Sequence, residues 1–248
     1  MPVLEPDAPT RRVPRWGCGD IVYGILAMLG LSTAVGVAVA LVADRGAVDL
    51  DSPGFTVIGA VAVWIGLGGW ALLASRRKGY GTLRSDYHYY FEWYDLLIGL
   101  AGAIAAFGLQ IAIGAVAMNS GIEPDTNTAP IVEAKGSPGW VVVVAIVVGV
   151  GAPFVEELFF RGLTYGALER RFDRWVALGG STAIFGVMHL QPTANLPGLV
   201  VLILQITSIG LVLGFLRMMT NRCGASIVTH MIVNTVATVL VLAGVGGV

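Results

Sequence analysis

The sequence predicts an all-α protein, a polytopic transmembrane bundle of about seven helices with one further amphipathic helix at the membrane interface. Three observations support this fold class. Hydrophobic residues make up 56% and charged residues 12% of the 248 residues, and the mean hydropathy is +0.78. Apolar runs near the ~20 residues that cross a bilayer recur along the chain. Most basic residues lie in the short segments between these runs, as in membrane proteins.

Seven apolar runs are predicted to cross the membrane. In chain order they are residues 21–43, 55–74, 95–118, 140–171, 175–190, 198–218 and 225–243. The fourth run is the longest, and it contains Pro153. The proline ring removes one backbone hydrogen bond and clashes with the preceding turn, so we expect a kink here. The kink would free backbone groups beside the acidic residues that follow.

The connecting segments have compositions of their own. Residues 1–20 are rich in proline and arginine and are predicted to form a disordered cytoplasmic tail. Residues 76–94 are basic first and aromatic afterwards, which is typical of a helix lying among the lipid headgroups. Residues 119–139 are polar and contain prolines, so they should be solvated. The chain thus divides into the tail, an N-terminal transmembrane region at 21–138 and a C-terminal transmembrane core at 139–248.

The basic residues lie on one side of this layout. If the N-terminus is cytoplasmic, twelve of the fifteen basic residues fall in cytoplasmic segments. They are Arg11, Arg12, Arg15, Arg76, Arg77, Lys78, Arg84, Arg170, Arg171, Arg174, Arg217 and Arg222. The positive-inside rule therefore predicts a cytoplasmic N-terminus and, after seven spans, a C-terminus outside. These basic segments are also expected to touch anionic lipids.

The overall charge and the cysteines exclude further classes of partner and site. A formal net charge of −1 leaves no basic excess with which to bind the phosphates of a nucleic acid. Cys18 and Cys223 are far apart and lack the Cys-x-x-Cys and Cys/His spacings of zinc sites. We therefore expect no nucleic-acid partner and two reduced cysteines.

Two adjacent glutamates and an arginine lie inside the fourth apolar run. Charge at such a depth is costly and usually functional. On a helix, Glu157 and Arg161 share one face with the acid first, which favours an ion pair. Glu156 is rotated by about 100° from Glu157 and can point elsewhere. The pattern predicts one structural carboxylate, Glu157, and one available for chemistry, Glu156.

Two later runs each hold a pair of polar or aromatic residues with helical spacing. Phe185 and His189 are four residues apart in the fifth run, and His230 and Asn234 are four apart in the seventh. Each pair therefore shares a helix face. At ~1.5 Å per residue, Glu156 and His189 both lie about 20 Å from the cytoplasmic edge. We expect these groups to meet in one layer.

In chain order, the motifs Glu-Glu-x-x-x-Arg, Phe-x-x-x-His and His-x-x-x-Asn resemble those of the CPBP (CAAX protease and bacteriocin-processing) family of intramembrane proteases. This family includes the Ras-converting CAAX prenyl endopeptidase. The resemblance covers residues 139 to about 240, and EELFFRGLTYG continues as the family's first motif does. It implies an endopeptidase of the cell membrane that cleaves membrane-associated or lipidated peptides.

The resemblance also implies a role for each motif residue. Glu156 would be the general base that activates a water molecule. The groups that orient this water or stabilise the oxyanion would be His189, His230 and Asn234. The supporting residues would be Glu157, Arg161 and Phe185. Because water must reach Glu156, we expect a polar cavity open to the cytoplasmic half of the bilayer.

Alternatives remain open at this point. Glu156, His189 and His230 could ligate zinc, since two histidines and a glutamate form a common catalytic set. The zinc-protease motif H-E-x-x-H is absent, so the metal-free mechanism without a cofactor is favoured. The chain could also be a non-catalytic scaffold or regulator of the same fold, or a proton-linked transporter. Gln110 and Gln205 are expected to form hydrogen bonds between helices. Gly210 and Gly214 are expected to mark a close contact between two helices.

Overall fold

The computed structural model describes residues 13–43 and 53–244, and the regular secondary structure in these two ranges is entirely helical. The helices are α1 (Cys18–Ala43), α2 (Pro53–Lys78), α3 (Leu83–Tyr87), α4 (Asp95–Asn119), α5 (Ala129–Ala134), α6 (Pro138–Ile146), α7 (Ala152–Glu157), α8 (Tyr165–Arg171), α9 (Arg174–Val187), α10 (Leu196–Thr220) and α11 (Gly224–Leu242). Helices α6, α7 and α8 are joined by two π-helical segments into one continuous helix, Pro138–Arg171. The predicted all-α class is confirmed.

Among the described residues, six helices are long and apolar enough to cross a membrane. This is one fewer than the seven predicted spans. The difference is the fifth run, which forms α9 with only 14 residues, fewer than the ~20 that a full span requires. The loop after α9 meets the loop before α5, where Asn195 Nδ2 donates to the Glu123 carbonyl oxygen at 3.0 Å. The chain is a multi-pass membrane protein.

Helices α4, α10 and α11 pack together, and α9 packs against α8 and α10, whereas α1 packs mainly on α2. Small residues allow the closest approaches. A Cβ atom added at Gly210 would lie 2.9 Å from the Phe185 ring, and one at Gly214 would lie 2.8 Å from the Leu178 side chain. The expected close contact at these two glycines is therefore confirmed, and its partner is α9.

Part of the predicted N-terminal tail is ordered. Residues 1–12 lie outside the described residues, but Trp16 is buried and donates through Nε1 to Asp86 at 3.0 Å. The Arg15 amide also donates to the Lys78 carbonyl oxygen at 2.6 Å. The prediction of disorder up to residue 20 is thus wrong for residues 13–20. The reason is that a buried indole with a buried carboxylate partner holds this segment in place.

The prediction of an interfacial amphipathic helix is also wrong for most of its length. Between the end of α2 and the start of α4, only the five residues of α3 are helical. Tyr87 is fully buried and donates to the Ala71 carbonyl oxygen at 2.9 Å, while the Tyr89 hydroxyl donates to the Phe154 carbonyl oxygen at 2.8 Å. Tyr87 thus anchors the segment inside the bundle, whereas Trp93 near its end is 71% exposed.

The loops and helix ends that carry ten of the fifteen basic residues meet at one end of the bundle, called here the basic end. It comprises residues 13–17, 76–94, 170–174 and 217–223. Arg222 Nη2 contacts Asp95 Oδ1 at 2.7 Å, and the Arg170 side chain donates to the Trp16 carbonyl oxygen. Residues 120–137 and 188–195 form the opposite end. The two loops there also bind each other, since Gln191 Nε2 donates to the Thr126 carbonyl oxygen at 2.9 Å.

Candidate active site

The helix that carries the two glutamates is π-helical on both sides of them, at Val147–Gly151 and Leu158–Thr164. In the first segment the Ala152 amide donates to the Val147 carbonyl oxygen, five residues back. The same register would pair the Val148 carbonyl with residue 153, a proline that has no N–H. Asn234 Nδ2 donates to this carbonyl instead, at 3.0 Å. Pro153 therefore frees a backbone group beside the acid pair, as predicted. Short π-helical segments of this kind are frequent at functional sites.

Glu157 and Arg161 form a buried ion pair. Arg161 Nη1 lies 3.0 Å from Glu157 Oε1, and neither side chain is exposed. Arg161 Nη2 also donates to the Gly210 carbonyl oxygen of α10 at 3.0 Å. A charge at this depth requires a partner, because removing it from water costs several kcal/mol. The predicted ion pair is confirmed, and it also joins the helix to α10.

His230 lies between the two glutamates. Its Nδ1 is 3.1 Å from Glu157 Oε1. Because a carboxylate only accepts, Nδ1 carries the proton and donates. The other nitrogen, Nε2, is 3.9 Å from Glu156 Oε2. Glu157 therefore holds the imidazole ring in position to face Glu156.

Glu156 points into a cavity of about 330 Å³. Its side chain is 19% exposed, and it accepts no hydrogen bond from the part of the chain that the structure describes. This volume is near the lower limit of the range for small-molecule sites. The Glu157 side chain is fully buried, whereas the Glu156 side chain is partly exposed to the cavity. The two carboxylates therefore differ in their environment, as the sequence predicts.

His189 is held by its own helix. Its Nδ1 lies 2.7 Å from the Phe185 carbonyl oxygen, and a carbonyl only accepts, so this nitrogen is the donor. The remaining nitrogen, Nε2, is left for the cavity that His189 lines. Phe185 is buried, with its ring centre 4.7 Å from that of His189 and 5.9 Å from that of His230. Phe185 thus supports both imidazoles.

The structure brings the predicted site residues together. Five of them line this one cavity, and they are Glu156, Phe185, His189, His230 and Asn234. The other two, Glu157 and Arg161, lie behind the cavity wall. The amide of Asn234 is not wholly free, because one of its two N–H groups is used on the Val148 carbonyl.

Four further polar residues line the cavity and were missed as site residues: Gln110, Asn127, Thr128 and Gln205. Gln110 and Gln205 were expected to bond between helices. That expectation is wrong, since neither side-chain amide has a hydrogen-bond partner among the described residues. Their only signal in the sequence is a polar side chain inside an apolar run. Asn127 and Thr128 carry no signal, because they belong to a loop far from the motifs in the chain.

The cavity opens away from the side that was expected. It was predicted to open toward the cytoplasmic half of the bilayer, which the basic loops define. Its lining instead includes Asn127 and Thr128 of the opposite end and no residue from the loops of the basic end. The cavity mouth and the basic loops therefore lie at opposite ends of the bundle, whereas the sequence analysis placed them at the same end. The reason is that side chains fill the bundle between Glu156 and the basic end.

The alternative role of Glu156, His189 and His230 as zinc ligands stays a prediction. Across residues 13–43 and 53–244, no three His, Cys, Asp or Glu side chains are placed so that they could hold one metal ion. His230 and His189 each use Nδ1, on Glu157 and on the Phe185 carbonyl, which leaves Nε2 of both rings for another partner.

The fold and the site together define a polytopic membrane protein with an acid and imidazole cavity enclosed by its helices. Comparison with known proteins agrees with this class. Residues 138–236 match the family model described as "Type II CAAX prenyl endopeptidase Rce1-like". The resemblance to the CPBP family that the motifs indicate is therefore confirmed for this region.

A curated relative of the chain is also named as a membrane peptidase. The chain is 29% identical over 153 residues to the protein named "Putative membrane peptidase YdiL" of Bacillus subtilis (strain 168). The match covers 58% of this chain and 58% of the relative. The chain thus spans little more than half the length of that relative. No solved structure matches the chain significantly.

Proposed function

We propose that the protein is an intramembrane endopeptidase that hydrolyses peptide bonds of membrane-associated or lipidated peptides with a water molecule activated by Glu156. The observation that carries this proposal is the convergence of Glu156, His189, His230 and Asn234 on one cavity inside the bundle. The family match over residues 138–236 supports peptide hydrolysis as the reaction.

Glu156 acts as the general base. Both oxygens of its carboxylate are free to bind water, since it accepts no hydrogen bond from the described residues. It takes a proton as the water oxygen attacks the scissile carbonyl carbon. The proton then passes to the amide nitrogen as the C–N bond breaks, which leaves a carboxylate and an amine. His189 Nε2 accepts a hydrogen bond from the same water and orients it.

His230 and Asn234 stabilise the oxyanion. In the imidazolium form, His230 keeps Nδ1–H on Glu157 and has Nε2–H available on the side of Glu156. Asn234 has one N–H left after its bond to Val148. Donors positioned in advance for a developing negative charge typically contribute about 100-fold or more to the rate. Glu157, Arg161 and Phe185 keep these donors in position.

The test compares the N-termini of membrane proteins from host cells that express the parent or the Glu156→Gln variant. This variant keeps the size of the side chain but removes the base. The parent should produce a set of new N-termini that fall by about 100-fold or more in Glu156→Gln, in line with the contribution of a general base. The matched control is Glu169→Gln, which lies on the same continuous helix outside the cavity and should resemble the parent.

Each other outcome selects a different function. Equal cleavage by the parent and Glu156→Gln would refute the role of Glu156 as base. No parent-dependent N-termini, together with rescue of a deletion phenotype by Glu156→Gln, would indicate a non-catalytic scaffold or regulator. If Glu156→Gln abolishes an ion-coupled transport that the parent performs, and the parent yields no cleavage product, the protein is a transporter.

A further inference from the structure

The cavity runs from Glu156 toward the end of the bundle opposite the basic loops. On α11 it follows residues 230–237, which lead away from the start of that helix beside Arg222. Its last lining residues are Thr128 and Asn127, and Asn127 is exposed in the loop before α5. The cavity therefore reaches the surface at this end.

On its other side the cavity is closed. A layer of side chains, each at most 1% exposed, fills the bundle between Glu156 and the basic end; it includes Phe160, Leu163, Thr164, Leu213 and Ser226. The buried Glu157 and Arg161 pair belongs to the same layer. A substrate has no passage through this layer without unpacking the core.

The two ends differ in charge. In the opposite end, residues 120–137 and 188–195 contain one basic residue, Lys135, beside Glu123, Asp125 and Glu133. The basic end holds most of the arginines. By the positive-inside rule the basic end is cytoplasmic, so the mouth of the cavity faces the outside of the membrane.

The cavity also contains hydrogen-bonding groups without partners. Gln110 on α4 and Gln205 on α10 each offer an amide donor and an amide acceptor. Neither side-chain amide makes a hydrogen bond with the described residues. Both side chains are half-buried and line the cavity, so their amides are available to a molecule bound there. A peptide backbone, with its alternating N–H and C=O groups, has the complementary donors and acceptors.

We propose that the cavity takes an extended peptide segment presented at the non-cytoplasmic face, whose backbone is held by Gln110 and Gln205 beside Glu156. This inference rests on the proposed peptidase function. It names the substrate class as proteins or peptides with a cleavable segment exposed outside the membrane. Two kinds of experiment test it, and the first does not depend on catalysis.

The first experiment measures from which side the cavity can be reached. Cys18 is replaced by alanine, whereas Cys223 is fully buried and is kept. Asn127→Cys and Gln205→Cys are then introduced singly and treated in intact cells with a small, charged, membrane-impermeant thiol reagent. Both should react from outside. Reaction of either one only after permeabilisation would refute the proposed orientation, whatever the enzyme activity.

Two matched controls define the limits of the labelling. Arg171→Cys lies exposed at the basic end, and it should react only after the membrane is opened. Ser226→Cys is close in size to the native residue and lies in the closed layer with no exposure, so it should react from neither side. Labelling of Ser226→Cys from the cytoplasmic side would show a passage through that layer and would overturn the proposal.

The second experiment tests the glutamines as peptide-binding residues. The probe is a membrane-tethered reporter carrying the most strongly parent-dependent cleavage sequence, facing either outside or inside. The parent should cleave only the reporter that faces outside. Gln205→Leu should raise KM about 3- to 10-fold, as expected for one lost hydrogen bond, with kcat within about twofold. A changed kcat with unchanged KM, or cleavage of the inward reporter, would overturn the proposal.

The two experiments separate this inference from the proposed function. If the parent cleaves no reporter and the thiol reagent still reaches Gln205→Cys from outside, the orientation stands, and both the peptidase function and the peptide-binding role are refuted. If cleavage occurs and labelling requires permeabilisation, the peptidase function stands and the orientation is wrong.

Discussion

The strongest stability prediction concerns the ion pair between Arg161 and Glu157. Both side chains have no exposure, and Nη1 lies 3.0 Å from Oε1. Arg161→Met removes the cation and leaves the Glu157 carboxylate buried, with the His230 imidazole as its remaining side-chain hydrogen-bond partner. Breaking a buried pair by removing one partner destabilises by about 3–5 kcal/mol. We therefore expect Arg161→Met to lower the free energy of unfolding by this amount.

The double variant distinguishes an unpaired charge from lost packing. Glu157→Gln keeps an acceptor for His230 Nδ1 but removes the negative charge. Replacing both charges of a buried pair is often nearly neutral, so Arg161→Met with Glu157→Gln should be at least about 2 kcal/mol more stable than the sum of the single changes. The matched control is Arg171→Met, the same substitution at an exposed site of the same continuous helix, expected within about 0.5 kcal/mol of the parent.

The assay is unfolding by SDS in mixed micelles, followed by circular dichroism for the parent and the four variants. The reasoning would be refuted by a loss below about 1 kcal/mol in Arg161→Met. It would also be refuted if the effects of the two single changes simply added in the double variant, because the pair would then not be coupled.

Three further predictions concern packing, thiol reactivity and metal dependence. Gly66→Ala would place a Cβ atom against the backbone of Met28 and should destabilise the protein by about 1–3 kcal/mol in thermal unfolding. Its control, Gly59→Ala on the same helix, meets open space and should be neutral or slightly stabilising. Equal effects of the two variants would contradict the close packing of α1 on α2. Burial raises the pKa of Cys223 to about 12, so at pH 7 a maleimide should modify only Cys18 in the folded protein, and mass spectrometry showing early modification of Cys223 would contradict this. Cleavage should persist after EDTA treatment and dialysis, and a loss that zinc restores would revive the metal-dependent mechanism.

Within single helices, the spacing of residues correctly predicted which side chains share a face. The four-residue separation of Glu157 and Arg161 sets their shared face whatever surrounds them, and the structure contains the ion pair. Pro153 has no N–H in any fold, so a free carbonyl near the glutamates also follows from the sequence. In contrast, composition placed the tyrosines of residues 87–94 at the lipid surface. The hydroxyls of Tyr87 and Tyr89 donate to carbonyl oxygens of other helices instead, and the bond of Tyr87 is buried, which no local pattern shows.

By itself, the sequence determined the all-helical membrane architecture, the order of the motifs and the difference between the two adjacent carboxylates. These properties depend on apolar composition and on the fixed rotation per residue of a helix. Only the tertiary structure decided that His230 binds Glu157, that Gln110 and Gln205 face the cavity, and toward which end the cavity opens. Such features depend on how separate helices rotate and pack against one another, and residues that lie far apart in the chain set that packing together.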